Sequence, residues 1–221
     1  EAGVTLSGLR SALLRTGWEF GVDLAARDVA TLGGMVATNA GGTRVLRYGS
    51  MRANLLGVEA VLGDGSVISH LDGLVKDNTG YDLAGLLCGS EGTLGIVTAA
   101  RLRLVPEWPD RLAAAVACES WADALALASV LRRRVGGIDG LEAFDAAGAR
   151  AARTLLGLRP PVGDAPVTLC VVWAGIGEPP GELAEMVACS HCGVFVPVSD
   201  ALNDDEGRPY CGQAHRALGP G

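Results

Sequence analysis

The chain has 221 residues and a formal net charge of −7, with 49% apolar and 19% charged residues. That length allows one or two domains, and the balance is that of an ordinary soluble globular protein. The negative charge argues against a nucleic-acid partner, and no apolar run is long enough for a membrane span.

Position 1 is Glu, and the first ten residues already have the character of a folded domain. The chain is therefore expected to be a piece of something longer, with no leader of its own. Thr5 is a candidate helix N-cap, followed by Leu6, Leu9, Leu13 and Leu14 at helical spacing and stopped by Gly17. Residues 33–39 suit a short helix whose start faces a ligand. Leu55 to Leu62 and Ser66 to Ser69 are predicted strands, joined by the turn signal Gly63-Asp64-Gly65. Leu83 to Cys88 is a short apolar helix. Residues 95–105 alternate Ile96, Thr98, Ala100, Leu102 and Leu104 with other residues, which predicts one half-buried strand sharing a sheet with the previous two.

Pro106 and Pro109 mark a boundary, so the first domain is set at residues 1–107. Beyond it a strand is predicted at Arg111 to Cys118. A helix at Trp121 to Arg134 carries Trp121, Leu125, Ala128 and Leu131 on one face and closes on three arginines. A strand at Leu141 to Phe144, a helix at Asp145 to Leu156 and a strand at Val167 to Trp173 complete a βαβαβ run over residues 108–177. Gly175 to Glu182 is a linker. The rest is too small to fold on an apolar core alone.

Two glycine-rich segments stand out, TLGGMVATNAGG from Thr31 to Gly42 and GSEGTLGIVT from Gly89 to Thr98. Without a Cβ, such loops let backbone N–H groups come close to a polyanion. Two of them with few charges between suggest a dinucleotide held mainly by main chain. Cys88, Cys118 and Cys170 lie in apolar contexts and are expected to be buried thiols, which makes a reducing cytoplasm the expected location.

Three longer stretches carry a family resemblance: VDLAARDVATLGGMVATNAGG, RYGSMRANLLGVEAVLGDG and KDNTGYDLAGLLCGSEGTLGIVTAARLRLVP. They resemble the second half of the flavin-binding domain of vanillyl-alcohol-oxidase-type (PCMH-type) oxidoreductases. Within that family they are most similar to the group of the glycolate oxidase subunit and the D-lactate and D-2-hydroxyglutarate dehydrogenases. Residues 110–177 resemble the start of the family's substrate domain more weakly. The resemblance implies an α+β fold, a partial FAD-binding domain followed by a partial ferredoxin-like cap. It implies FAD as cofactor, lined by Asp28, Thr31, Gly33, Gly34, Thr38, Asn39, Ala40 and Gly41 on the first segment. Glu91, Gly92, Thr93, Gly95, Ile96 and Val97 would line it on the second. The implied activity is oxidation of a small 2-hydroxy acid such as glycolate or D-lactate by hydride transfer to flavin N5, with an electron-acceptor subunit as a possible partner.

The family's earlier phosphate loop and its downstream histidine-rich catalytic segment have no counterpart here. The chain is accordingly expected to bind FAD weakly or not at all, and no catalytic residue is named. The chemistry calls for a base and for a cation to hold the carboxylate. His70 is expected to be an exposed strand histidine, and Arg44, Arg47 and Arg52 to be solvated. A cell-wall precursor reductase of the same flavin fold is a weaker reading, because the KDNTGYDLAGLLCGSEGTLGI block looks like the hydroxy-acid group.

Residues 187–218 depart from that family. Cys189 and Cys192, then Cys211 and His215, form C-x2-C and C-x3-H pairs that suit a tetrahedral structural zinc. The segment resembles short bacterial zinc-ribbon-like proteins. His191 is the competing ligand. The alternative function is then a zinc-stabilised interaction module beside a vestigial flavin half.

Overall fold

A computed structural model of the chain describes residues 1–72, 74–158, 162–175, 186–191, 195–197, 201–210 and 212–220. It divides into two compact units, Glu1–Trp108 and Pro109–Gly221.

The first unit opens with α1 (Leu6–Leu13), where the Thr5 hydroxyl accepts the Gly8 N–H at 3.1 Å. This cap satisfies a backbone donor that the helix itself cannot. Leu6 is buried and Leu9 and Leu13 pack on the same core, but the helix ends before Leu14, which is left exposed. Next come β1 (Trp18–Phe20), α2 (Leu32–Ala37), α3 (Val45–Tyr48) and α4 (Met51–Asn54). β2 (Leu55–Leu62) and β3 (Val67–His70) form the expected antiparallel hairpin. Gly65 takes φ +85°, and the Asp64 carboxylate accepts the Ser66 N–H at 2.9 Å. After α5 (Leu83–Leu87), β4 (Gly95–Leu102) pairs with the other edge of β2, giving the order β3-β2-β4.

The strand expected over residues 95–105 is in fact two. Arg103 N–H donates to the Asn54 carbonyl at 2.8 Å, and the chain leaves the sheet there. β5 (Leu104–Pro106) then pairs with β1. Period-two alternation runs on across the break, so it hides the change of partner.

One core gathers Leu6, Phe20, Val22, Leu32, Met35, Val36, Met51 and Cys88. A second packs Ala84 and Leu87 of α5 against Val58 and Ala60 of β2. Beside the first core Arg44 is buried, paired with Glu19 at 2.8 Å and stacked on the Tyr48 ring at 4.4 Å.

In the second unit, β6 (Asp110–Cys118), α6 (Trp121–Arg134), β7 (Ile138–Asp145), α7 (Ala146–Leu156) and β8 (Val167–Gly175) follow the predicted run. The order is β6-β8-β7, with β8 antiparallel to both neighbours. β6-α6-β7 is thus a split βαβ unit with β8 inserted between its strands. Ser120 and Asp145 cap the two helices. The buried face of α6 is Ala124 and Leu127, flanked by Ala128 and Leu131, while Trp121 and Leu125 point outward. The expected face is therefore rotated: Ala128 and Leu131 keep their place, while Ala124 and Leu127 replace Trp121 and Leu125.

Toward the C-terminus β9 (Met186–Ala188) pairs with β10 (Phe195–Pro197), and β11 (Leu202–Asn203) pairs with β12 (Pro209–Tyr210). α8 (Gln213–Leu218) ends the described part. Asp204 organises the β11–β12 turn. Its carboxylate accepts the Glu206 and Arg208 N–H groups, the Arg208 guanidinium at 2.8 Å and the hydroxyl of fully buried Tyr210 at 2.9 Å. Burial alone would raise the Asp204 pKa, but these donors outweigh it and hold the carboxyl far below the usual carboxylate range.

Candidate cofactor-binding site

The two glycine-rich segments face one cleft of about 350 Å³ in the first unit. One wall is Ala2 and Gly3. The floor is α2, with Thr31, Gly33 and Gly34 at its start and Ala37 at its end. The opposite wall is Gly92 together with Gly95, Ile96 and Val97.

The walls are joined by backbone bonds. Ala2 N–H donates to Thr98 O, Gly33 N–H to Ala2 O and Leu32 N–H to Val4 O, each at 2.8 Å. Gly34 N–H donates to the Thr31 hydroxyl at 3.2 Å. The N–H groups of Leu32, Gly33 and Gly34 are therefore spent within the protein. What Gly33 and Gly34 offer the cleft is therefore the absence of a side chain rather than a free N–H. A Cβ on Gly33 would lie 2.7 Å from the Ala2 Cβ, so glycine is what lets the two walls meet. Gly92 adopts φ +79°, a left-handed conformation that disfavours any side chain.

Seven of the sequence-predicted residues line this cleft: Thr31, Gly33, Gly34, Gly92, Gly95, Ile96 and Val97. Others are committed elsewhere. The Thr38 hydroxyl donates to Gly34 O at 2.9 Å and the Thr93 hydroxyl to Ser90 O at 2.6 Å. Asn39, at φ +49°, accepts the Arg52 N–H on its side-chain oxygen at 3.0 Å. Ala40 packs on the core, Glu91 N–H donates to Ala37 O, and Asp28 is exposed. Gly41 lies beside Val45, where a Cβ would come within 3.1 Å of its methyl. Ala2, Gly3 and Ala37 were missed. Only their small size marks them, and it is the neighbouring wall that gives it meaning.

Arg44 and Arg47 differ from expectation, whereas Arg52 is exposed as expected and also bonded. Arg44 is the buried partner of Glu19, and Arg47 lies over the Tyr48 and Trp108 rings. The Arg52 guanidinium donates to the carbonyls of Gly85 and Cys88. His70 ends β3, half exposed and 3.3 Å from the Asp77 carboxylate. Burial pushes the Cys88 thiol pKa up, against the opposing charge of Arg52.

At the C-terminus the Cys189 sulfur lies 3.8 Å from His215 Nδ1. The His191 ring is tilted against that of His215 at 4.7 Å, and His191 Nδ1 lies 2.7 Å from Gly219 O. Cys192 and Cys211 fall outside the described residues. Among the described residues no group of three or more His, Cys, Asp or Glu is placed to hold a metal.

Residues 1–70 match the family model described as an FAD binding domain. The chain is 42% identical over 190 residues to the mitochondrial D-2-hydroxyglutarate dehydrogenase of Bos taurus, covering 86% of this chain and 35% of that protein. It is 46% identical over 124 residues to the D-lactate dehydrogenase of Archaeoglobus fulgidus, covering 56% of this chain and 28% of that one. Among solved structures, an alkyldihydroxyacetonephosphate synthase matches with a TM-score of 0.63 at 19% identity, over 79% of this chain and 36% of that one. That likeness shows a shared mixed α and β fold. The chain thus spans about a third of the length of these proteins. No helix among the described residues is long and apolar enough to cross a membrane.

Proposed function

We propose that this chain supplies one side of an FAD site for the oxidation of a small 2-hydroxy acid such as D-2-hydroxyglutarate or D-lactate. In that reaction the α-carbon gives up a hydride, the hydroxyl gives up a proton, and a 2-oxo acid results. Bound FAD supplies the hydride acceptor, which a separate electron acceptor must later reoxidise. The residues here bind and exclude water. Gly92, Gly95 and the first turn of α2 offer a small-residue surface for close van der Waals contact, and exposed Ile96 with Val97 offers an apolar face. His70 is not among the residues that line the cleft, so we assign it no part in proton removal. The free buried thiols of Cys88 and Cys118 agree with a reducing compartment, and the cytoplasm is our proposed location.

The observation that carries this reading is the convergence of the two glycine-rich segments on one cleft in a unit matched to an FAD binding domain. Titrating the chain into FAD and following flavin fluorescence tests it. Saturable but weak binding is expected, because the front N–H groups of α2 are already engaged. Ala37→Phe should fill the cleft and abolish binding while the melting temperature holds. Absence of saturable binding, or a variant that binds as well, would sink the proposal.

A second reading concerns the tail, favoured by the approach of Cys189 to His215. Two such ligands on one tetrahedral ion, at about 2.3 Å and about 2.0–2.1 Å, lie about 3.6 Å apart, close to the separation seen. We propose that Cys189, Cys192, Cys211 and His215 hold a structural zinc, with His191 turned to Gly219. A zinc-stabilised interaction module predicts stoichiometric zinc and no flavin. The oxidoreductase reading predicts flavin binding whether or not zinc is present.

A further inference from the structure

Arg52 lies outside the cleft, yet it bonds to the segments that form both sides of it. Its backbone N–H donates to the Asn39 side chain, at the end of α2. Its guanidinium donates to the Gly85 and Cys88 carbonyls, at the end of α5. The Gly85 carbonyl would ordinarily accept the Gly89 N–H one helical turn on, but that N–H donates instead to Val36 O at 2.9 Å. Arg52 thus replaces a helical donor that has been diverted to α2. A cation at a helix C-terminus is also electrostatically favoured there.

The diverted bond is one of a pair. Glu91 N–H donates to Ala37 O at 2.9 Å, so residues 89–91 are stitched along the last turn of α2. The far wall of the cleft, beginning at Gly92, follows directly. Gly89 has φ +83°, and a Cβ there would lie 3.2 Å from a guanidinium nitrogen and 3.3 Å from the Asn39 Cβ. Arg52, Asn39 and Gly89 therefore fit as a set: a Cβ at Gly89 would press on both neighbours, and its positive φ strains any side chain.

We propose that Arg52 is a positioning residue that sets the distance between the two glycine-rich walls and so tunes the cleft for the flavin. It does not touch the cofactor. The role in binding rests on the FAD reading above, whereas the clamp itself does not. A planar fork meets two carbonyls in one fixed geometry, which a lysine ammonium on its flexible stem reproduces only loosely.

The test uses the full chain with Arg52→Met and Arg52→Lys. Amide hydrogen exchange at Gly89 and Glu91 should quicken about tenfold or more in Arg52→Met, while Val58 and Ala60 in β2 stay protected. FAD affinity should fall about tenfold or more in Arg52→Met, with partial recovery in Arg52→Lys. Unchanged exchange at Gly89 and Glu91 would overturn the clamp, as would exchange that quickens equally throughout β2. Faster local exchange with unchanged FAD affinity would overturn the positioning role. Should the unaltered chain bind no FAD, the cofactor reading fails, and the exchange pattern still decides for or against the clamp.

Discussion

Around Phe20 and Met51 the N-terminal unit buries a continuous apolar cluster, and its polar groups mostly serve to join backbone segments. Around Tyr210 one carboxylate, Asp204, receives four donor groups. The contrast follows from size. A segment of about a hundred residues can enclose a core of its own, while one of about thirty encloses less and leans more on polar hubs or a metal. The same contrast says where each region is vulnerable: the first to lost volume, the second to lost charge or ligand.

The sharpest way to break that comparison is to remove the proposed metal. A chelator, or Cys192→Ser, should unfold the tail and leave residues 1–175 folded, as read by hydrogen exchange and metal analysis. A zinc-free reduced protein with an ordered tail would end the metal proposal. Cavity creation should act the other way. Phe20→Ala is expected to cost the N-terminal unit about 3–5 kcal/mol, measured by denaturant titration, with protection around Tyr210 unchanged. Arg44→Met leaves Glu19 without its buried partner and is expected to cost about 3 kcal/mol in the same unit.

A gentler probe of the tail is pH. The Asp204 pKa is lowered in the folded state, so its contribution is fully present above the unfolded value of about 3.9 and is lost as pH falls below it. The β11–β12 turn should therefore loosen in acid, and Asp204→Asn should loosen it at neutral pH too. The smallest effect expected is Asp145→Ala, which removes the cap of α7 and should cost the second unit about 1 kcal/mol in thermal denaturation.

Much of this was legible in advance where the determinants are local. The Gly63-Asp64-Gly65 turn marked the β2–β3 hairpin, and the periodicity closing on Arg132 to Arg134 marked α6 to the residue. The glycine-rich segments marked the cleft before its shape was known. Elsewhere local pattern misled. Alternation over residues 95–105 continued through a change of partner strand, and the outward face of α6 was as apolar as its inner one.

By itself, then, the sequence determined several of the helices, though not the short α3, α4 and α8, together with the β2–β3 turn, which glycines cluster, and which family they resemble, because these depend on neighbours along the chain. Only the tertiary structure decided what the polar groups do. That Ala2 and Val4 occupy the N–H groups at the front of α2, that Arg44 is buried on Glu19, and that Arg52 ties α5 to Asn39 all depend on residues far apart in sequence. A donor has the same identity whether it faces water, a cofactor or a distant carbonyl, and packing alone selects among the three.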